Sequence, residues 1–306
     1  MANKSRQKNS APSKAKLVGS PTPLISAEKA IGGISEFHYG LRARFNQEVA
    51  LRQQADREAA AAMAPLTEMI KQNKDSVAAL QRRRKLLASR PNTRAAFPKF
   101  KGKLERHVRA GSMLNVEVPP YDYEWGDQGS ENTNGTTTWG TFVALKADAR
   151  MNVTTYAASG GLGWASAGLG KVFQPAGRDA TYVRIGLYAP YDYNWWDDSN
   201  IETAHTDGFI GVLVQSWDLS GNNFQTDMDR RIPLWSDGTS WTESHSDSSD
   251  GYYPSDTYFW AWSSRIYVVW AWCGASCDGS SGSIFYSTAF DTLSISMPFM
   301  VFEQFI

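Results

Sequence analysis

The stretch that decides the fold reads Tyr258-Phe259-Trp260-Ala261-Trp262, then Ser263-Ser264-Arg265, then Ile266-Tyr267-Val268-Val269-Trp270-Ala271-Trp272. Two alternating runs of β-branched and aromatic residues, parted by a short polar break, are the pattern of strands with a buried face. Trp260/Trp262 and Trp270/Trp272 read as facing stripes of neighbouring strands. Working outward, the same pattern recurs at Thr137–Leu145, Met151–Ala157, Trp164–Phe173, Thr181–Trp195, Gly208–Trp217, Phe224–Trp235, Ser283–Phe290 and Thr292–Phe302. No long helix-period stretch interrupts it. Residues 112–306 are therefore expected to form an antiparallel β-sandwich, jelly-roll-like because long strands are joined by long polar loops. All 12 tryptophans lie in this region, more aromatic surface than a core of this size requires, so some should be exposed.

One segment is echoed within it. Pro120-Tyr121-Asp122-Tyr123-Glu124-Trp125 recurs as Pro190-Tyr191-Asp192-Tyr193-Asn194-Trp195. In a strand the alternate aromatics share one face at ~7 Å intervals and the acidic or amide residues the other. Such a stripe can serve as a stacking platform for sugar rings, with carboxylates and amides from nearby loops bonding hydroxyls; it is equally the pattern of a half-buried strand in a core. The candidate ligand-binding residues are Tyr121, Tyr123, Trp125, Tyr191, Tyr193 and Trp195, with Asp197, Asp198, His205 and Asp207 from the adjoining segment.

The first third of the chain is written differently. Residues 1–25 combine Lys, Ser, Pro and Asn with few large apolar groups, which predicts a disordered basic arm. Residues 26–90 are rich in Ala, Leu, Gln, Glu, Arg and Lys, the strong helix formers, and predict a helical stalk. A 4-3 spacing runs through Ala59, Met63, Leu66, Ile70, Asn73, Val77, Leu80, Arg84 and Leu87, either a coiled-coil seam or the apolar stripe of a helix packed on its own β domain. Pro65 would kink it or restart it. If continuous, the helix would reach ~80 Å at ~1.5 Å per residue. Residues 91–111 read as a basic linker.

Charge divides at the same place. Residues 1–111 hold 23 Lys+Arg and 8 Asp+Glu, a net +15, and residues 112–306 hold 8 and 23, a net −15. The zero net charge of the chain is a cancellation, and the basic end calls for an acidic partner: nucleic acid, an anionic surface or an acidic protein.

Catalytic templates fail. His205-Thr206-Asp207 and His245-Ser246-Asp247 place His and Asp on one strand face, but no Gly-x-Ser-x-Gly elbow accompanies them. The glycines from Gly160 to Gly170 match neither phosphate-loop pattern and read as a β-hairpin. Cys273 and Cys277, in what reads as a turn, are expected to be reduced thiols, and zinc is not expected. No cofactor is called for, although the loops Asp197-Asp198-Ser199-Asn200 and Asp247-Ser248-Ser249-Asp250-Gly251 could hold calcium. No run approaches the ~20 apolar residues of a membrane span, and Met1–Leu17, basic with no apolar run behind it, does not read as a secretory signal, so the chain is expected to be cytoplasmic when made, then particle-associated or released by another route.

These features point to a non-enzymatic, fibre- or appendage-like protein that self-associates through residues 59–87 and recognises a ligand, most plausibly a glycan, on its β domain. The alternatives are a capsid- or sheath-like assembly subunit whose basic arm contacts nucleic acid or an acidic neighbour, and a hydrolase using one of the His–Asp pairs.

Overall fold

The computed structural model describes residues 25–88, 97–98, 112–132, 137–158, 160–176, 179–200, 202–241, 243–279 and 286–305. The arm expected over residues 1–25 falls outside this set apart from Ile25, as does the linker expected over 91–111 apart from Phe97 and Pro98.

Among the described residues three helices come first: α1 (Ala27–Ala62), α2 (Ala64–Gln72) and α3 (Lys74–Ala88). Ser26 caps α1, its side chain accepting from the Lys29 N–H at 3.3 Å. At ~1.5 Å per residue α1 spans ~54 Å. Pro65 lies in the first turn of α2, where a missing N–H costs nothing. The expected continuous seam over 59–87 is thus broken twice. Asn73 does not sit in a buried seam: it is exposed, and its side-chain oxygen accepts from the Asp75 and Ser76 N–H groups at 3.1 and 3.0 Å as the cap of α3.

Twelve strands follow among the described residues: β1 (Ser112–Glu117), β2 (Tyr123–Asn132), β3 (Thr138–Leu145), β4 (Arg150–Ala158), β5 (Gly161–Phe173), β6 (Ala180–Asn200), β7 (Glu202–Asp218), β8 (Gln225–Trp241), β9 (Ser244–Trp262), β10 (Arg265–Gly279), β11 (Tyr286–Ser296) and β12 (Phe299–Phe305). They form two antiparallel sheets. One runs β1-β12-β6-β11-β4-β3, with β9 also paired to β6; the other runs β2-β5-β10-β7-β8. The long β6 holds the first sheet together, pairing with β12 over its first part, β11 over the rest, and β9 along its other edge.

The inner faces make the main core. Val153, Val183, Ile185, Leu187, Leu293, Ile295 and Phe302 from the first sheet meet Leu169, Ile210, Val212, Val214 and Val269 from the second. Burial of this apolar surface is the dominant favourable contribution to the fold. The outer face of the second sheet is not left to water. Tyr123, Trp125, Leu213, Trp217, Ile266, Val268, Trp270 and Trp272 lie there beneath Ile25, Ala30 and Ile34 of the α1 segment, with Phe37 and Leu41 packed alongside. The molecule is a helix laid on a two-sheet sandwich.

Close approach of α1 depends on Gly33, where an added Cβ would lie 2.9 Å from the Phe224 ring and 3.1 Å from the Gln215 side-chain oxygen. The absent side chain lets Gln215 reach the Gly33 carbonyl and donate to it at 2.9 Å. Further along, Trp125 donates to the Ser35 hydroxyl at 3.1 Å. Arg52 pairs with Asp278 at 3.2 Å and Asp207 at 3.8 Å. The helix docks by apolar contact at its start and by charge at its end.

Three local expectations are corrected. The runs ending at Trp262 and starting at Ile266 belong to opposite sheets, β9 and β10, and are not hydrogen-bonded neighbours. The glycines of Gly160–Gly170 do not form a hairpin, since β4 and β5 also lie in different sheets; Gly168 and Gly170 leave room on β5 for Trp125 and Trp270. Cys273 and Cys277 are in strand β10, not a turn. Both are free and buried. Four residues apart on one strand, their Cα atoms are ~13 Å apart, beyond bridging distance. Burial pushes both thiols up, that of Cys273 to about 12.

Candidate functional site

The two echoed aromatic segments are not a platform. Tyr121 is in the core between the sheets, its hydroxyl donating to the Met297 carbonyl at 2.8 Å, while Tyr123 and Trp125 are roofed by α1. Tyr193 and Trp195 are in the inner core with Tyr191 packed against them. The physical reasons differ: α1, a segment far away in sequence, covers Tyr123 and Trp125, whereas Tyr121, Tyr193 and Trp195 are covered by the facing sheet. His38 of that helix shows how tightly. It lies between Trp125, at 4.1 Å between ring centroids, and Trp272, at 4.4 Å. Burial, with a smaller contribution from Arg231, lowers its pKa to about 3, so it packs as a neutral ring.

The exposed aromatic surface is elsewhere, on the outer face of the first sheet. Alternate residues of β9 point outward there: Tyr258 is 38 %, Trp260 62 % and Trp262 53 % exposed. The register sets Phe305, Tyr182 and Trp260 side by side across β12, β6 and β9. Tyr182 stacks on Tyr258 with centroids 5.5 Å apart and planes at 14°, and contacts Trp260 at 5.1 Å and Phe305 at 6.0 Å. The next row sets Tyr258 beside Arg184 and Glu303. Arg184 pairs with Glu303 at 3.1 Å and with Asp256 at 3.7 Å. An aromatic strip open to water, fixed by mutual stacking and bordered by an ordered charged pair, offers flat ring faces for stacking and polar groups at its border.

The remaining sequence candidates gather at one end of the sandwich, on different faces. Asp197 is completely buried between the sheets. Its neighbour Asp198 points the other way and accepts from the Ser244 hydroxyl. His205 and Asp207 lie on the α1 side of β7, where Asp207 accepts from Ser236 at 2.6 Å and pairs with Arg52. His245 does not partner Asp247; its Nδ1 is 2.7 Å from Asp237 on β8, which raises its pKa, and Asp247 accepts from the Tyr193 hydroxyl at 3.1 Å. The two segments read as calcium loops are strand, in β6 and β9, so their successive acidic side chains alternate between faces and do not converge. Asp197, Asp237 and His245 do converge, each offering one ligand atom within 4.8 Å of the others.

The strip was within reach of the sequence. Trp260 and Trp262 stand out in it, and the stripe Ala30, Ile34, Phe37, Leu41, at helical spacing, marks a helix face that needs an apolar surface to cover; the fold assigns it to the second sheet.

The fold and strip define a helix-roofed antiparallel β-sandwich with an exposed aromatic face. No protein-family model matches the chain, and no curated protein matches it. Solved structures give faint likenesses. TmCBM61, in complex with β-1,4-galactotriose, is 11% identical, over 59% of this chain and 88% of that one, with a TM-score of 0.15. The family 11 carbohydrate-binding module from Clostridium thermocellum, in complex with a β-1,3-1,4-mixed-linked tetrasaccharide, is 9% identical over 67% of this chain and 95% of that one, TM-score 0.14. The infectious bursal disease virus Gx strain structure is 9% identical over 64% of this chain and 42% of that one, TM-score 0.13. Likenesses this faint lend nothing to a functional reading, which rests on the residues themselves. Among the described residues no helix is long and apolar enough to cross a membrane.

Proposed function

We propose that the chain is a non-enzymatic binding protein, a jelly-roll sandwich whose outer aromatic strip takes carbohydrate. The observation that supports this reading is the exposure of Trp260 and Trp262 on one edge strand, with Trp260 in register with Tyr182, which stacks on Tyr258 of that same strand. Soluble proteins leave large contiguous apolar patches open where something docks on them. Sugar rings present apolar C–H faces to stack on such rings and hydroxyls at their rims. Arg184 beside Tyr258, and Asp256 one row beyond it, stand at the border to meet those hydroxyls. The spacing of ~7 Å between alternate side chains of a strand suits successive rings of an extended oligosaccharide. The test is a glycan array probed with the full chain, followed by the same measurement on Trp260→Ala. The expected result is binding to a defined glycan class that weakens at least tenfold in the variant; a blank array, or a variant that binds as the parent does, counts against the reading.

A second reading, assembly into a larger particle or fibre, is favoured by α2, which has no buried residue. Leu66 and Met69 on it, and Leu86 on α3, are exposed. The proposal is that this segment is the self-association surface, and its test is the mass of the full chain in solution against Leu66→Lys with Met69→Lys.

A further inference from the structure

We propose that Asp197, Asp237 and His245 form a binding site for one divalent transition-metal ion of the zinc or manganese class. The three residues come from three strands. Asp197 on β6 and His245 on β9 are directly opposed in the first sheet, and Asp237 reaches in from β8 of the second. One carboxylate oxygen from each aspartate and one ring nitrogen lie within 4.8 Å of one another. Metal–ligand bonds of ~2.0–2.2 Å put neighbouring donors ~3–3.5 Å apart, so small side-chain rotations bring this set onto an ion.

A second observation points independently to a ligand. Asp197 is completely buried, and among the described residues neither carboxylate oxygen has a hydrogen-bond partner from another residue. A buried carboxylate without donors costs free energy that an ion or a proton must offset. The other two ligands leave a way in: the side chains of Asp237 and His245 are 33 % and 45 % exposed, so an ion held by all three keeps positions open to water or to an outside ligand.

The donor set chooses the metal. Imidazole with two carboxylates suits zinc, manganese or iron, whereas calcium and magnesium prefer oxygen alone. Uptake displaces the proton shared between His245 Nδ1 and Asp237 Oδ2 and any proton held on Asp197, and these leave to solvent. The site is separate from the aromatic strip and does not depend on carbohydrate binding.

The experiment is calorimetric titration of the chelator-stripped full chain with zinc, manganese and calcium chlorides in turn. The expected result is one zinc or manganese ion per chain, calcium at least tenfold weaker, and a loss of at least tenfold in affinity in both Asp237→Asn and His245→Ala. His205→Ala, which alters the other face, should bind as the parent does. Because Asp237 and His245 are partly exposed, both variants keep the core, and their circular dichroism should match the parent. As a check that needs no variant, the parent's melting temperature should rise with zinc. No zinc or manganese binding in the parent, a preference for calcium, or undiminished binding in both variants overturns the proposal.

Discussion

Replacing Ile34 by alanine tests whether α1 is part of the sandwich. Ile34 is fully buried, and its Cδ1 would lie 3.4 Å from a Cβ added at Gly168 on β5. Removing the buried branched side chain of an isoleucine costs ~2–5 kcal/mol, depending on how far the surroundings collapse. A helix lying on an outer face can settle more easily than a strand between sheets, and alanine gains a few tenths of a kcal/mol in helix propensity. The expected net loss is therefore about 2–3 kcal/mol. With a urea dependence of about 3 kcal/mol per molar, the unfolding midpoint falls by close to 1 M. Tryptophan emission is the natural probe, since Trp125, Trp217, Trp270 and Trp272 all lie beneath the helix. Tyr39→Ala is the control: the same helix, but 69 % exposed, with an expected change within ~0.5 kcal/mol. If Ile34→Ala unfolds at the same urea concentration as Tyr39→Ala, the helix is not docked and the account of the buried aromatics fails.

Three further outcomes are expected. Residues 112–306 expressed alone expose Tyr123, Trp125, Trp270 and Trp272 and should aggregate or bind an apolar dye strongly; a well-behaved, dye-negative fragment would contradict the roof. Stability in chelator should fall as pH rises from 4 to 7, because Asp291, buried and raised by that burial to about 7, holds its proton more tightly folded than unfolded. The contribution is present below the unfolded value near 4 and lost through 7, on the order of 4 kcal/mol at most; Asp291→Asn should flatten the profile measured by urea melts. Arg52→Ala leaves Asp278, only 3 % exposed, without its cation and should destabilise by ~1–3 kcal/mol, and Arg52→Lys should restore part of that loss in thermal melts.

The strands that alternate cleanly were legible, because alternation records a buried face directly. The structure adds β1, β2 and the first part of β9, where Ser244-His245-Ser246-Asp247-Ser248-Ser249-Asp250 reads as loop and yet pairs residue by residue with β6. An edge strand facing water needs no apolar pattern. The break expected at Asp291 is inside β11, because that carboxylate is satisfied in the core by the Thr155 and Thr206 hydroxyls at 2.6 and 2.9 Å; the chain breaks between β11 and β12, at Met297-Pro298. Which aromatic stripe is covered could not be read from the strands, since Trp260/Trp262 and Trp270/Trp272 have the same periodicity. It is decided by α1, whose stripe at Ala30, Ile34, Phe37 and Leu41 lies over two hundred residues from Trp270. Asp197, Asp237 and His245 share no motif spacing; only the meeting of β6, β8 and β9 joins them.

The most direct measurement is oxidative footprinting of the tryptophans in the intact chain, with and without a glycan selected on the array. The expected result is rapid modification of Trp260 and Trp262, their protection by the glycan, and no modification of Trp125, Trp270 and Trp272 until the protein unfolds. Rapid modification of Trp125, Trp270 or Trp272, or glycan protection there and not at Trp260 and Trp262, would contradict the account.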